Sequence, residues 1–130
     1  MRQTLDILKT LAASNDPVAR VRIASCIRYR GRIVAFGWNK KKTHPLAKEY
    51  SKNDEAIFLH AEADVIIKAR KLLTPKELSK SIIFVARHKK CSHFGTATPC
   101  SGCRRLILDS GIKTIVSTLE GYKYQVETIE

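Results

Sequence analysis

The stretch "FLHAEADVIIKA", Phe58 to Ala69, sets a histidine and a glutamate one residue apart at the head of an apolar run. Beyond them Val65, Ile66, Ala69, Leu72 and Leu73 recur at helical spacing, and Thr74-Pro75 stops the run. This predicts a helix over His60 to Leu73, and its neighbours decide what it packs on. Ser81 to Ala86 is continuously apolar and β-branched, which predicts a central strand. Upstream, strand-like runs at Val21 to Tyr29 and Arg32 to Phe36 flank Arg30-Gly31, the pattern of a β-hairpin.

The outer segments extend this arrangement. Thr4 to Ala12 reads as a short helix with Ile7, Leu8, Leu11 and Ala12 on one side, followed by a turn at Asn15 to Pro17. Gly37 to Asn53 is polar, lysine-rich and interrupted by Pro45, so a long surface loop is expected; a second loop runs to Thr98. Pro99 to Asp109 predicts a helix ending at Gly111, with Ile112 to Ser117 as the next strand and Tyr122 to Thr128 as the last. The tight turn at Leu119-Glu120-Gly121 should make those last two strands antiparallel. The order α-β-β-α-β-α-β-β predicts an α/β fold, one mixed sheet layered with helices, as a single domain over 1–130.

Composition narrows the function classes. The apolar runs stop well short of a bilayer span, and Asp6 and Lys9 interrupt the N-terminal segment, so no membrane partner and a cytoplasmic location are expected. Four cysteines, Cys26, Cys91, Cys100 and Cys103, suit a reduced compartment in which thiols bind metal or stay free. Lys and Arg number 24 against 12 acidic residues, so 24 − 12 gives +12. That excess favours phosphate-bearing partners, either nucleotides or a nucleic-acid strand.

The histidine and glutamate find their complement in "TPCSGCRR". Pro99 suits the first helical position, which sets Cys100 and Cys103 on one face of the first turn. The positive end of the helix dipole favours their thiolate forms, the forms that bind metal. His60 at the start of the other helix offers a third ligand. Two thiolates and an imidazole fit one Zn2+ per chain and keep its fourth position for water. Glu62, two residues on, can exchange protons beside the metal without binding it. H-x-E with P-C-x-x-C is the signature of zinc deaminases acting on nucleobases. A non-catalytic zinc-binding module is the rival reading, and it leaves Glu62 idle.

On these residues the chain resembles the cytidine deaminase-like superfamily, from the hairpin near Val21 to the last strand. The resemblance implies a three-layer α/β/α fold with a five-stranded mixed sheet and zinc held between two helix starts. It implies His60, Cys100 and Cys103 as ligands and Glu62 as the proton shuttle in hydrolysis of the cytosine amino group. The backbone around Ala61 matches the segment that hydrogen-bonds the pyrimidine. It also implies a homodimer or homotetramer.

Within that family an asparagine after the second strand commonly contacts the sugar, and "FGWNKKK" places Asn39 there. Free cytidine deaminases carry N-x-E at this point; here Lys40 and Lys41 follow, and lysines suit the 5′-phosphate of a deoxycytidylate-type substrate. The antiparallel ending and "CRR" resemble free cytidine deaminases instead. The expected substrate is therefore cytidine, deoxycytidine or dCMP, with RNA or single-stranded DNA editing as the alternative. Phe94, in the loop before the cysteines, is a candidate for lining the pyrimidine pocket. Cys91 and His93 could belong to a second zinc site or to a surface loop. His44 reads as a solvated turn residue or a substrate contact, Trp38 as core or base-stacking, and Cys26 as a small buried hydrophobe.

Overall fold

The structure, a computed structural model, describes residues 1–14, 22–40, 60–88, 94–121 and 123–128, and of Phe94 the backbone alone. In chain order these form α1 (Arg2–Ala13), β1 (Arg22–Tyr29), β2 (Arg32–Trp38), α2 (Ala61–Ala69), α3 (Pro75–Ser79) and β3 (Ile82–His88). A two-residue β4 (Phe94–Gly95), α4 (Ser101–Asp109), β5 (Thr114–Thr118) and β6 (Tyr124–Thr128) complete the order. Five strands lie side by side as β2-β1-β3-β5-β6, with β4 attached to β3. The β3–β5 pair is parallel, with Ile82 opposite Thr114, while β5–β6 is antiparallel, with Val116 opposite Val126. The sheet is therefore mixed and the fold is α/β, as the element order predicts.

Alternation along the strands sorts the core into two layers, because successive side chains point to opposite faces. On one face Leu5, Leu8 and Ala12 of α1 meet Ala24, Cys26, Phe84, Ala86 and Val116. On the other, Val65 and Ile66 of α2 and Leu106 and Ile107 of α4 cover Ile27, Ile83, Val85 and Ile115. The β1–β2 turn is Arg30-Gly31, with both residues at positive φ (52° and 76°), the backbone that lets a two-residue turn follow the strand twist.

Several details differ from the sequence reading: Gly37 and Trp38, expected in a loop, close β2 opposite Ser25 and Ala24, and β5 runs Thr114–Thr118, two residues later at its start and one at its end. The buried side of α1 is Thr4, Leu5, Leu8 and Ala12, whereas Ile7 is 43% exposed, so the apolar stripe lies one step round the helix. The helix expected to run to Leu73 ends at Ala69, and residues 70–73 continue as hydrogen-bonded turns. Thr74 then caps α3 through a reciprocal capping box with Glu77, so the pair that stops one helix starts another. Pro99 lies outside α4: Cys100 is its N-cap, with extended backbone at ψ 167°. Finally, Arg87, His88 and Phe94–Gly95, expected in a loop, extend β3 and pair with it. Among the described residues no helix is long and apolar enough to cross a membrane.

Candidate active site

Both helices over the second face begin at the same place. His60 is the N-cap of α2, extended at φ −75° and ψ 157°, and its carbonyl accepts the Asp64 N–H at 3.0 Å. Cys100 is the N-cap of α4, where its sulfur accepts the Cys103 N–H at 3.5 Å and its carbonyl accepts the Arg104 N–H at 2.8 Å. Two helix N-termini thus aim their positive ends at one spot, which favours sulfur in its anionic form.

The side chains converge there. His60 Nδ1 lies 3.1 Å from Cys103 Sγ and 3.9 Å from Cys100 Sγ, and all three donor atoms fall within 4.8 Å of one another. A tetrahedral zinc, with bonds of about 2.1 Å to nitrogen and 2.3 Å to sulfur, needs donors roughly 3.6–3.8 Å apart. The donor set suits that ion and its two nitrogen–sulfur separations bracket the required distance, and among the described residues no fourth His, Cys, Asp or Glu joins the group.

The local charges follow from this crowding. The Cys100 thiol is lowered to about 3, chiefly because the Cys103 thiol donates to its sulfur and then because the imidazole does. Cys103 is raised by the same bond, reinforced by burial and by the carboxylate of Glu62. His60 is raised, first by its hydrogen bond to Cys100 and, against the opposing effect of burial, by the nearby Glu62. Glu62 is 5% exposed, and burial raises its carboxyl; the His60 charge opposes that rise. Its carboxylate is also a hydrogen-bond partner of Cys103, so it stands beside the donor trio without being a member of it.

Other sequence candidates land nearby with bonds of their own. Ala61 opens α2, and its carbonyl accepts the Ser25 hydroxyl at 2.7 Å. Asn39 is buried, with its Oδ1 accepting the Ile23 N–H at 3.1 Å and its own N–H donating to the Ile23 carbonyl at 3.3 Å. Lys40 pairs with Asp64 Oδ1 at 3.1 Å, and Lys68 pairs with Oδ2 at 3.1 Å. Trp38 is neither deep core nor bare: the two ammonium groups lie 4.7 and 4.4 Å from its ring centroid. Cys26 is fully buried, and burial pushes its thiol up to about 12, so it behaves as a hydrophobe. Phe94 is placed by its backbone pairing with His88, and its side chain lies outside the description. Cys91, His93, His44 and Lys41 lie outside the described residues.

Three residues of this neighbourhood escape a sequence reading: Ser25, Gly37 and Asp64. Only Asp64 carries a signal, since an aspartate four residues before Lys68 is the spacing of a helical ion pair.

The family described as "Cytidine and deoxycytidylate deaminase zinc-binding region" matches residues 2–119, which include His60, Glu62, Cys100 and Cys103. The chain belongs to this family. Among solved structures, this deaminase-family chain is similar to cytidine deaminase from Burkholderia pseudomallei, with 15% identity and a TM-score of 0.68. That match covers 95% of this chain and 88% of the other. It is also similar to dCMP deaminase from the cyanophage S-TIM5 in apo form, with 21% identity, a TM-score of 0.54, and 88% and 75% of the two chains covered. The same phage enzyme in complex with dCMP and dUMP matches at 21% identity and a TM-score of 0.52, over 88% and 74% of the chains. At these identities the likeness establishes the shared fold. No curated protein sequence matches in direct comparison.

Proposed function

We propose that the chain is a zinc-dependent hydrolytic deaminase that converts the cytosine ring of cytidine, deoxycytidine or dCMP to uracil and releases ammonia. The observation that carries this reading is the three-donor cluster of His60, Cys100 and Cys103, with the buried carboxyl of Glu62 beside it but outside it. Zinc held by those donors supplies Lewis-acid activation of water. The chain's own residues do the rest. Glu62, held ready to take up a proton by its burial, accepts one from the attacking water and passes it to ring N3. It then takes the second from the new C4 hydroxyl and hands it to the amino group, which leaves as ammonia while C4 becomes a carbonyl. Ala61 presents backbone to the pyrimidine, Asn39 and Lys40 face the sugar side, and Phe94 lines the base.

The existing bonds of those last residues bear on specificity. Lys40 is tied to Asp64 at 3.1 Å with its side chain 22% exposed, so a 5′-phosphate would have to share its ammonium with that carboxylate. The antiparallel β5–β6 ending supports a free nucleoside, as in the reading that likens it to cytidine deaminases. The net charge of +12 supports a phosphorylated substrate, and the nucleic-acid-editing alternative draws on the same charge. A cytoplasmic homodimer or homotetramer is part of this proposal.

The test is direct. The protein loaded with zinc is incubated with cytidine, deoxycytidine, dCMP and a cytosine-containing oligonucleotide, and uracil products are measured. Turnover of a free nucleoside or monophosphate is the expected result. Turnover of the oligonucleotide alone, weakening steeply with salt, would transfer the chain to the editing class.

A further inference from the structure

Ser25 lies on the interior strand β1 with its side chain on the face that α2 covers, and it is 0% exposed. Its cross-strand partner on β2 is Gly37. Two of the smallest residues thus stand side by side in the sheet, and the first turn of α2 settles into the notch they leave. The fit is close. A Cβ added at Gly37 would lie 2.7 Å from Val65 N, 2.8 Å from the Ala61 carbonyl oxygen and 2.9 Å from Val65 Cβ.

At the bottom of this notch the Ser25 hydroxyl donates to the Ala61 carbonyl at 2.7 Å. That carbonyl belongs to the peptide joining Ala61 to Glu62, so the hydroxyl fixes the plane from which the Glu62 side chain departs. The peptide before it joins His60 to Ala61. One hydrogen bond from the sheet therefore sits between the metal-side histidine and the buried carboxyl. Further along, α2 is tied to β2 by Trp38 N–H to Asp64 at 3.2 Å and by Lys68 to the Phe36 carbonyl at 2.9 Å. Those bonds hold the body of the helix, while the Ser25 hydroxyl ties the sheet to the Ala61–Glu62 peptide at its head.

We infer that Ser25 is a positioning residue for the deaminase reaction: its hydroxyl, seated opposite Gly37, sets the orientation of the Ala61–Glu62 peptide and thereby the aim of Glu62. The inference rests on the proposed deaminase reading. A general acid–base group works only within hydrogen-bond reach of the proton it moves, and misplacement by an ångström can cost about a hundredfold in rate. Removing the hydroxyl leaves the ligands and the helix in place, so the loss should fall on kcat and not on metal.

The experiment measures kcat, KM and bound zinc for Ser25→Ala on the substrate that the wild type turns over best. The expected result is a kcat per bound zinc lower by about tenfold or more, with KM within about twofold and zinc still one per chain. Ser25→Cys, which keeps the shape and a weaker donor, should fall between the two. A purely structural role would lower thermal stability and zinc content but leave kcat per bound zinc at the wild-type value. That outcome in Ser25→Ala, or in Ser25→Cys where the alanine variant does not fold, overturns the inference. A zinc-loaded wild type inactive on every cytosine compound overturns the deaminase reading itself, and this role with it.

Discussion

Asp64 is the carboxylate on which the joint between β2 and α2 turns. Replacing it with alanine strands the Trp38 N–H that it accepts at 3.2 Å and removes the carboxylate from both ammonium groups it pairs at 3.1 Å. The carboxylate is 6% exposed, but Lys40 and Lys68 are 22% and 37% exposed, so solvent screens both pairs. Each is then worth about 0–1 kcal/mol. The stranded N–H is the larger effect, about 1–2 kcal/mol for a part-buried donor left without an acceptor. Asp64→Ala should therefore cost about 2–3 kcal/mol, or roughly 10 °C in Tm for a chain of this size. Asp64→Asn keeps an acceptor for Trp38 and loses only charge, so about 1 kcal/mol is expected, shrinking in high salt. The single tryptophan sits against both ammonium groups and reports the transition in a urea titration followed by fluorescence. An alanine variant within about 0.5 kcal/mol of wild type, or an asparagine variant as unstable as the alanine one, would refute this account.

Other consequences can be checked alongside. Glu62→Gln should keep fold and zinc while turnover falls about 10²–10⁴-fold, whereas Cys100→Ser should lose metal and thermal stability together; metal analysis, melting curves and rates separate the two. In metal-free protein near pH 7, iodoacetamide should modify Cys100, whose thiol is lowered to about 3, and spare Cys26, whose thiol is pushed up to about 12, with added zinc protecting Cys100; mass-spectrometric mapping of the adducts reads this. Because the folded state holds the Cys26 proton more tightly, the stability that this thiol contributes is full below about pH 9 and is lost as pH climbs towards about 12. Cys26→Ala should accordingly show a smaller alkaline loss in denaturation measured against pH. Leu8→Ala should cost about 2–5 kcal/mol in denaturant titrations and Ile7→Ala under about 0.5, since Leu8 is 0% and Ile7 43% exposed.

Much of the molecule is legible in local pattern. The alternating and continuous apolar runs at 22–29, 82–88 and 114–118 identify strands because a buried strand must be apolar on the faces it buries. His60, Glu62, Cys100 and Cys103 are legible because metal ligation and proton transfer demand particular side chains at particular spacings. Errors gather at element ends. Ile7 is as apolar as Leu8, and nothing in the spacing says which of them meets the sheet. Pro99 is compatible with either side of a helix start, and the geometry of Cys100 as N-cap decides between them.

The sequence by itself determines the order of the main helices and strands (though not α3 and β4), the excess of basic charge and the residue types of the donor set, since these follow from local periodicity, composition and short motifs. The tertiary structure alone decides that the donors meet, that Lys40 pairs with Asp64, and that Ser25 and Gly37 make room for the head of α2. These are contacts between residues tens of positions apart, fixed by strand register and by how closely a helix can approach a sheet. No local propensity encodes them.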